Sequence, residues 1–255
     1  SDTGVFHRFN DAAIRRRGIT MNWVNIFFIL VIVIAVLEGL HRGFLHSALS
    51  LGTFFLSIIT AFLLGPVVSS AFKANRTVFS FLLYYTEGAE KIANFEHSRL
   101  LVNNLSPAQV DAIIAGSSVN EPFATLIRQN VETKAFVSSG MQTIGEYFNM
   151  TMVCVVLNIL SFALVFLIAR LVYGFVLGAV NYTVRFPELR QYDRLTGALF
   201  GATRGVLACF LIVMLVPAAM LFVPVDKVID YFMSSSVGMF FYNNNFFLHL
   251  ISGTV

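Results

Sequence analysis

The chain has 255 residues, of which 57% are hydrophobic and only 12% charged, with a net charge of +3 and a mean hydropathy of +0.76. Soluble domains carry charge on about a quarter of their residues, so this composition excludes an ordinary soluble domain and points to a membrane protein. The charge says little beyond attraction to anionic headgroups, no nucleic-acid partner is expected, and the two cysteines, both in apolar runs, exclude a disulfide framework.

Residues 1–20 form a polar, basic tail carrying Arg15, Arg16 and Arg17; it is either disordered or laid on the headgroups through Val5, Phe6, Phe9 and Ile14. Four apolar runs follow, at 23–37, 44–68, 152–180 and 206–223. A helical span needs about 20 apolar residues. The expected fold is therefore all-α and polytopic, with four transmembrane helices. A short apolar segment behind positive charge also describes a signal peptide, but Glu38, His41 and Arg42 follow Leu37 in place of a small-residue cleavage site. An uncleaved helix is the better reading. Asn22 is placed to cap it, Gly39 to end it, and His41 and Arg42 to turn the chain toward a second span beginning near Phe44.

Between 69 and 150 charges return and apolar residues space out, which reads as a helical extramembrane insertion between the second and third spans. Ser106 before Pro107, and Asn120 before Glu121 and Pro122, are helix starts. Val110, Ile113 and Ile114, then Phe123, Leu126 and Ile127, recur at helical spacing. No proline stands between Glu132 and Pro187, so one long helix is expected to begin at Phe136 and run on through the third span. Past the fourth span, 225–233 reads as a short interfacial helix, and the final FFYNNNFFLHLI is too interrupted by Asn243, Asn244 and Asn245 to cross a bilayer. It is expected on the surface or against the bundle. The chain thus divides into tail (1–20), first helix pair (21–68), insertion (69–150), second pair (151–224) and C-terminal interfacial segment (225–255).

The most pointed motif is DRLTGALFGATRG at 193–205. Gly197, Gly201 and Gly205 fall on one helix face, and in a bilayer such a strip lets backbones approach where hydrophobic burial no longer drives association. Gly174 and Gly178 repeat the device and are a plausible partner surface. The segment GLHRG at 39–43, with Gly39 and Gly43, matches GATRG at 201–205 as a GxxRG ahead of an apolar helix. The match is either a parallel repeat or chance in a glycine-rich chain. Arg42 and Arg204 either snorkel to the headgroups or join Glu38, Asp193 and Arg194 in a polar network at the glycine-lined interface. Asp193 and Arg194 read equally well as a helix cap and a surface charge.

With these residues on the page, the chain resembles the colicin V production protein family. That family opens on a Met-x-Trp-x-Asp type start, carries a GxxRG after its first helix, and has DRxxGxxxGxxRG ahead of its last; here the corresponding residues are Met21 to Asn25, Gly39 to Gly43 and Asp193 to Gly205. The chain departs from the pattern at Asn25, which stands in place of an acid and puts any proton relay or cation site there in doubt. Glu38 could take over part of such a role. The resemblance implies a small inner-membrane protein linked to bacteriocin export, envelope stress tolerance and surface-associated growth, with some relatives fused to an extracytoplasmic serine protease. It implies no agreed molecular activity.

No enzyme signature stands out: there is no HExxH, phosphate loop or CxxC, and no cofactor or metal site is expected. Ser47, Ser50, Ser57 and Ser161, with His41 and His46, lie in or beside spans and read as packing or backbone hydrogen bonding. Arg170, Arg185, Arg190, Arg194 and Arg204 favour a cytoplasmic loop between spans three and four, while the tail arginines favour a cytoplasmic N-terminus; the protease-fused relatives tip the expectation to both termini outside. The expected function is a non-enzymatic, homo-oligomeric scaffold or accessory factor in the lipid bilayer, serving an export or envelope partner. The alternative is a small channel or transporter framed by the two GxxRG elements.

Overall fold

The computed structural model of the chain describes residues 22–179, 190–222 and 226–255. The basic tail and the interhelical Arg185 fall outside the described residues. Every regular element among those described is a helix. In chain order these are α1 (Trp23–Ala74), α2 (Arg76–Thr86), α3 (Phe95–Ser98), α4 (Pro107–Ala115), α5 (Phe123–Glu132), α6 (Ile144–Ala179), α7 (Arg190–Met214), α8 (Val216–Phe222), α9 (Asp226–Met233), α10 (Ser236–Asn243) and α11 (Phe246–His249). Among the described residues, three stretches are long and apolar enough to cross a bilayer: α1, α6, and Asp193–Phe222 carried by α7 and α8.

The first two apolar runs of the sequence share α1. At 52 residues it would be about 78 Å long if straight, far beyond the ~30 Å of bilayer hydrocarbon. It is not straight. Gly43 has φ 76° and ψ −177°, and this residue breaks the helix into 23–42 and 44–74. The contacts on either side of the break run in opposite directions along α7. Gly39 meets Gly197, Ala35 meets Gly201 and Ile32 meets Gly205, which is antiparallel. Phe44 meets Phe200 and Ser50 meets Arg204, which is parallel. The two halves of α1 are therefore a helical hairpin folded at one glycine, and the Ser47 hydroxyl donates back across it to the Gly39 carbonyl at 3.5 Å. Helical backbone continues up to Arg42, so His41 and Arg42 end a helix and do not form a loop.

Helix α6 lies antiparallel to the second half of α1. Arg170 reaches Ser50 and Thr53, Phe162 packs at a tilt against Phe62, and Asn158 accepts from the Ser69 hydroxyl at 2.6 Å. It begins at Ile144, eight residues later than the expected start at Phe136. The reason is local. Gly140 takes a left-handed φ of 81°, and the Glu146 carboxylate accepts from the amides of Gln142 and Thr143, capping a fresh helix start. Just upstream, the Val102 amide donates to Gln142 and the Ile144 amide to Leu100, which fastens the insertion to that start.

The insertion forms a collar around the first half of α6. Ile144, Tyr147, Phe148 and the stretch 153–157 are buried, packed with Phe123, Ile127, Val131 and Phe136. Beyond Ala163 the same helix shows Leu167, Ile168, Leu171 and Phe175 to the outside, as α1 shows Ile34, Leu56, Ile59 and Leu63. An apolar exterior of this kind on a helical bundle belongs in lipid. Helix α4 begins at Ser106 and Pro107 as the sequence reads, closed by a Ser106 and Gln109 capping box. Helix α5 starts at Phe123, after the expected Asn120 cap; the Glu121 carboxylate accepts from Thr125 instead.

The C-terminal segment lies against the bundle. Phe232 and Phe241 are buried with Phe28, Cys209 and Val213. Asn22 and Asn25, at the start of α1, bond to Tyr231, Ser234, Ser235 and Val237. Asn245 is buried; it caps α11 and donates to the Phe210 carbonyl at 2.8 Å. The last residues reach Asn130, Asn158 and Lys73. Of the three asparagines that interrupt this stretch, Asn245 reaches the bundle, while Asn244 bonds within the segment to the Phe240 carbonyl.

Candidate functional site

The glycine strip of α7 faces the first half of α1. A Cβ added at Gly197 would stand 2.8 Å from the Gly43 carbonyl carbon and closer still to the Gly39 carbonyl oxygen. At Gly201 it would meet the backbone of Ala35 and Val36 at 3.1 and 3.3 Å, and at Gly205 the Ile32 Cα at 3.1 Å. Two helices touch here main chain to main chain. Gly39 is the reciprocal position, with Gly197 against it. Gly174 and Gly178 do not meet the strip. Nothing lies within 4 Å of a Cβ at either, because α6 packs on the second half of α1 and not on the face of α7 that carries the glycines.

The two GxxRG segments lie along the same seam but out of step, 39–43 against 193–198 and 201–205 against 32–36, and they do different structural work. Gly43 turns the chain at a positive φ, whereas Gly205 stays helical in the middle of α7. A Cβ at Gly43 would also strike the Asp193 carboxylate. That carboxylate accepts from the Phe44 amide at 2.9 Å. The orphaned N-terminus of the second half of α1 is thus capped by a residue from α7, which suits both its hydrogen-bonding need and its positive dipole end.

A polar cluster sits beside this seam. Glu38 forms ion pairs with Arg204 and, at 3.1 Å, with Arg42. Arg42 also contacts His46 Nε2 at 2.8 Å. The Arg204 side chain is only 13% exposed, against 37% for Glu38 and 49% for Arg42. Its Nη1 donates to the Ser50 hydroxyl at 2.6 Å. Arg170 donates to the same hydroxyl at 3.1 Å and to Thr53 at 2.8 Å. Of the residues expected in a network, Glu38, Arg42 and Arg204 come together; Asp193 stands apart on the Phe44 amide, and Arg194 is exposed.

Arg170 and Ser50 are the members that sequence reasoning missed. Arg170 was assigned to the loop after the third span, yet it lies nine residues before the end of α6. The signal was available, because it is the one charged residue in the run 152–180, and an ionisable side chain inside a span marks a site. Ser50 had none, since a serine in a membrane helix ordinarily bonds to its own backbone. Ser57 does so, donating to Thr53.

Chemically, the cluster can hold helices in register and can attract negative charge. It presents three guanidiniums to one carboxylate, Glu38, with hydroxyls and an imidazole completing the donors' partners.

No curated protein and no solved structure matches the chain. A family model, that of the colicin V production protein, matches residues 108–244, more than half the chain and including the whole of DRLTGALFGATRG. With its long apolar helices, the interlocked glycine seam and that match, the chain is a membrane protein that belongs to the colicin V production protein family.

Proposed function

We propose that the protein is a non-enzymatic scaffold of the bacterial inner membrane, crossing it four times and serving an export or envelope partner. The four crossings are the two halves of α1, then α6, then α7 with α8. The reversal at Gly43 supports that count, as does the length of the first half, which at 20 residues spans about 30 Å. In this arrangement the insertion and the C-terminal segment share one face of the membrane, where a partner docks, and both chain ends lie outside.

One observation carries the scaffold reading: the polar groups at the seam are engaged with neighbouring helices. Asp193 holds α1 to α7, Arg204 joins Glu38 to Ser50, and Arg170 joins α6 to Ser50 and Thr53. Groups bonded in this way serve assembly. The surface we assign to a second copy is the Gly174 and Gly178 face of α6, supported by the open space beside both glycines and the exposed Leu171 and Phe175 around them.

The rival reading is a small anion channel, and the excess of guanidinium over carboxylate favours it. Purified protein in liposomes separates the two. A scaffold gives no anion or proton flux, and Arg42→Gln and Arg204→Gln leave that unchanged. Flux that falls with either substitution would replace the scaffold with a channel.

A further inference from the structure

Helices α6 and α7 both lie on the second half of α1 and barely touch each other, so a groove runs between them. Phe54 forms its floor, Phe162, Phe166 and Leu167 one wall, and Ala208 and Leu211 the other. The lining is apolar and the cavity measures about 160 Å³. An engineered apolar cavity of roughly 150 Å³ takes a benzene ring, so this groove suits a stretch of one acyl chain and not a whole lipid.

Two guanidiniums stand one helical turn beyond the lining residues Phe166 and Ala208. Arg170 follows Phe166 by one helical turn, and its Cζ lies 5.9 Å from the centroid of the Phe54 ring. Arg204 precedes Ala208 by one turn, and both arginines converge on the Ser50 hydroxyl. Hydroxyls satisfy hydrogen bonds without neutralising charge. Among the described residues, Arg170 forms no ion pair, and Glu38 is shared by Arg42 and Arg204. On two of the helices the cluster stands at the end of an apolar run, since Glu38 closes 23–37 and Arg204 precedes 206–223, while Arg170 reaches it from inside the run 152–180.

We propose that this groove binds an anionic phospholipid of the surrounding bilayer, with one acyl chain between α6 and α7 and the phosphate at Arg170 and Arg204. A guanidinium offers a planar fork that fits two phosphate oxygens, and the surplus of positive charge selects a lipid with no ammonium of its own. The exposed Leu167 and Ile168 leave the groove open toward lipid, so the chain enters sideways from the bilayer. The inference rests on the membrane reading above and goes beyond it to a ligand.

The test uses purified full-length protein in neutral detergent, offered equal amounts of phosphatidylglycerol and phosphatidylcholine, with retained lipid identified by native mass spectrometry. The wild type retains phosphatidylglycerol preferentially. Arg170→Gln lowers that preference about fivefold, the size expected for one basic residue facing an anionic lipid, and Arg170→Lys keeps most of it. Ala163→Trp, at the groove wall, reduces retention of both lipids without touching the arginines, and a thermal melt confirms that each variant is folded. Equal retention of the two lipids by the wild type overturns the proposal, as does undiminished phosphatidylglycerol in both Arg170→Gln and Ala163→Trp. Carbonate extraction of cell membranes tests the membrane reading separately; protein that stays with the membrane yet shows no lipid preference sinks only the lipid site.

Discussion

Gly197→Ala adds one carbon where α1 and α7 cross, and its cost can be worked from the seam. The new Cβ would sit 2.8 Å from the Gly43 carbonyl carbon. Non-bonded carbons are comfortable at about 3.5–4.0 Å, so the two helices must part by roughly 1 Å there. Gly39, Gly201 and Gly205 share the same seam, and their contacts loosen with it. Overpacking of this kind costs about 1–3 kcal/mol, while replacing a helical glycine by alanine returns about 0.8–1.0 kcal/mol. The expected net loss is about 0–2 kcal/mol. Gly52→Ala is the matched control: it is exposed on the second half of α1, nothing lies within 4 Å of its Cβ, and it should gain about 0.5–1 kcal/mol. Unfolding in mixed micelles titrated with sodium dodecyl sulfate, followed by circular dichroism, reads both. A Gly197→Ala variant as stable as Gly52→Ala would show that the seam carries no close contact. Extending the series, Gly201→Leu should lose more than Phe55→Leu on the lipid-facing side, because it forces whole backbones apart and not a single side chain.

Three further outcomes are expected. Asp193→Ala should cost about 1 kcal/mol by uncapping the second half of α1, Asp193→Asn less, and Gly43→Ala about 1–2 kcal/mol even in an Asp193→Ala background, because the positive φ remains; the same micelle titration measures all four. Glu38→Gln alone should destabilise more than the Glu38→Gln, Arg204→Gln pair, since the single change leaves Arg204 largely buried without its counter-charge, and a double-mutant cycle that came out additive would contradict the pairing. Asn245→Ala should release the C-terminal segment by removing both the α11 cap and the bond to Phe210, seen as faster protease cleavage after Phe246 or Phe247 with the rest of the chain protected.

Much of the fold is legible in the residues because it is set locally. Apolar runs of span length mark the bilayer segments, Ser106 before Pro107 marks a helix start, and Asn22 caps α1 as its position suggests. The site is legible in part. The spacing of Gly197, Gly201 and Gly205 defines a face, and the proximity of Glu38 and Arg42 one turn apart defines a pair. Arg170 is open to the same reasoning as the one charged residue of its run, whereas the late start of α6 turns on Gly140 and Glu146, whose roles emerge only from backbone geometry.

The sequence by itself determined which surfaces are smooth, which are charged and which segments belong in lipid, because periodicity and composition are properties of neighbouring residues. Only the tertiary structure decided what meets those surfaces. The glycine strip could have faced Gly174 and Gly178; it faces Gly39, Ala35 and Ile32 because α1 reverses at Gly43 and lays its first half along α7. For the same reason the two look-alike GxxRG segments took different neighbours, Gly39 and Gly43 meeting 193–198 and Gly201 and Gly205 meeting 32–36. In a bilayer every apolar face is equally content with lipid, so partner choice passes to backbone fit and a few polar groups, and those are matched across residues more than 150 positions apart.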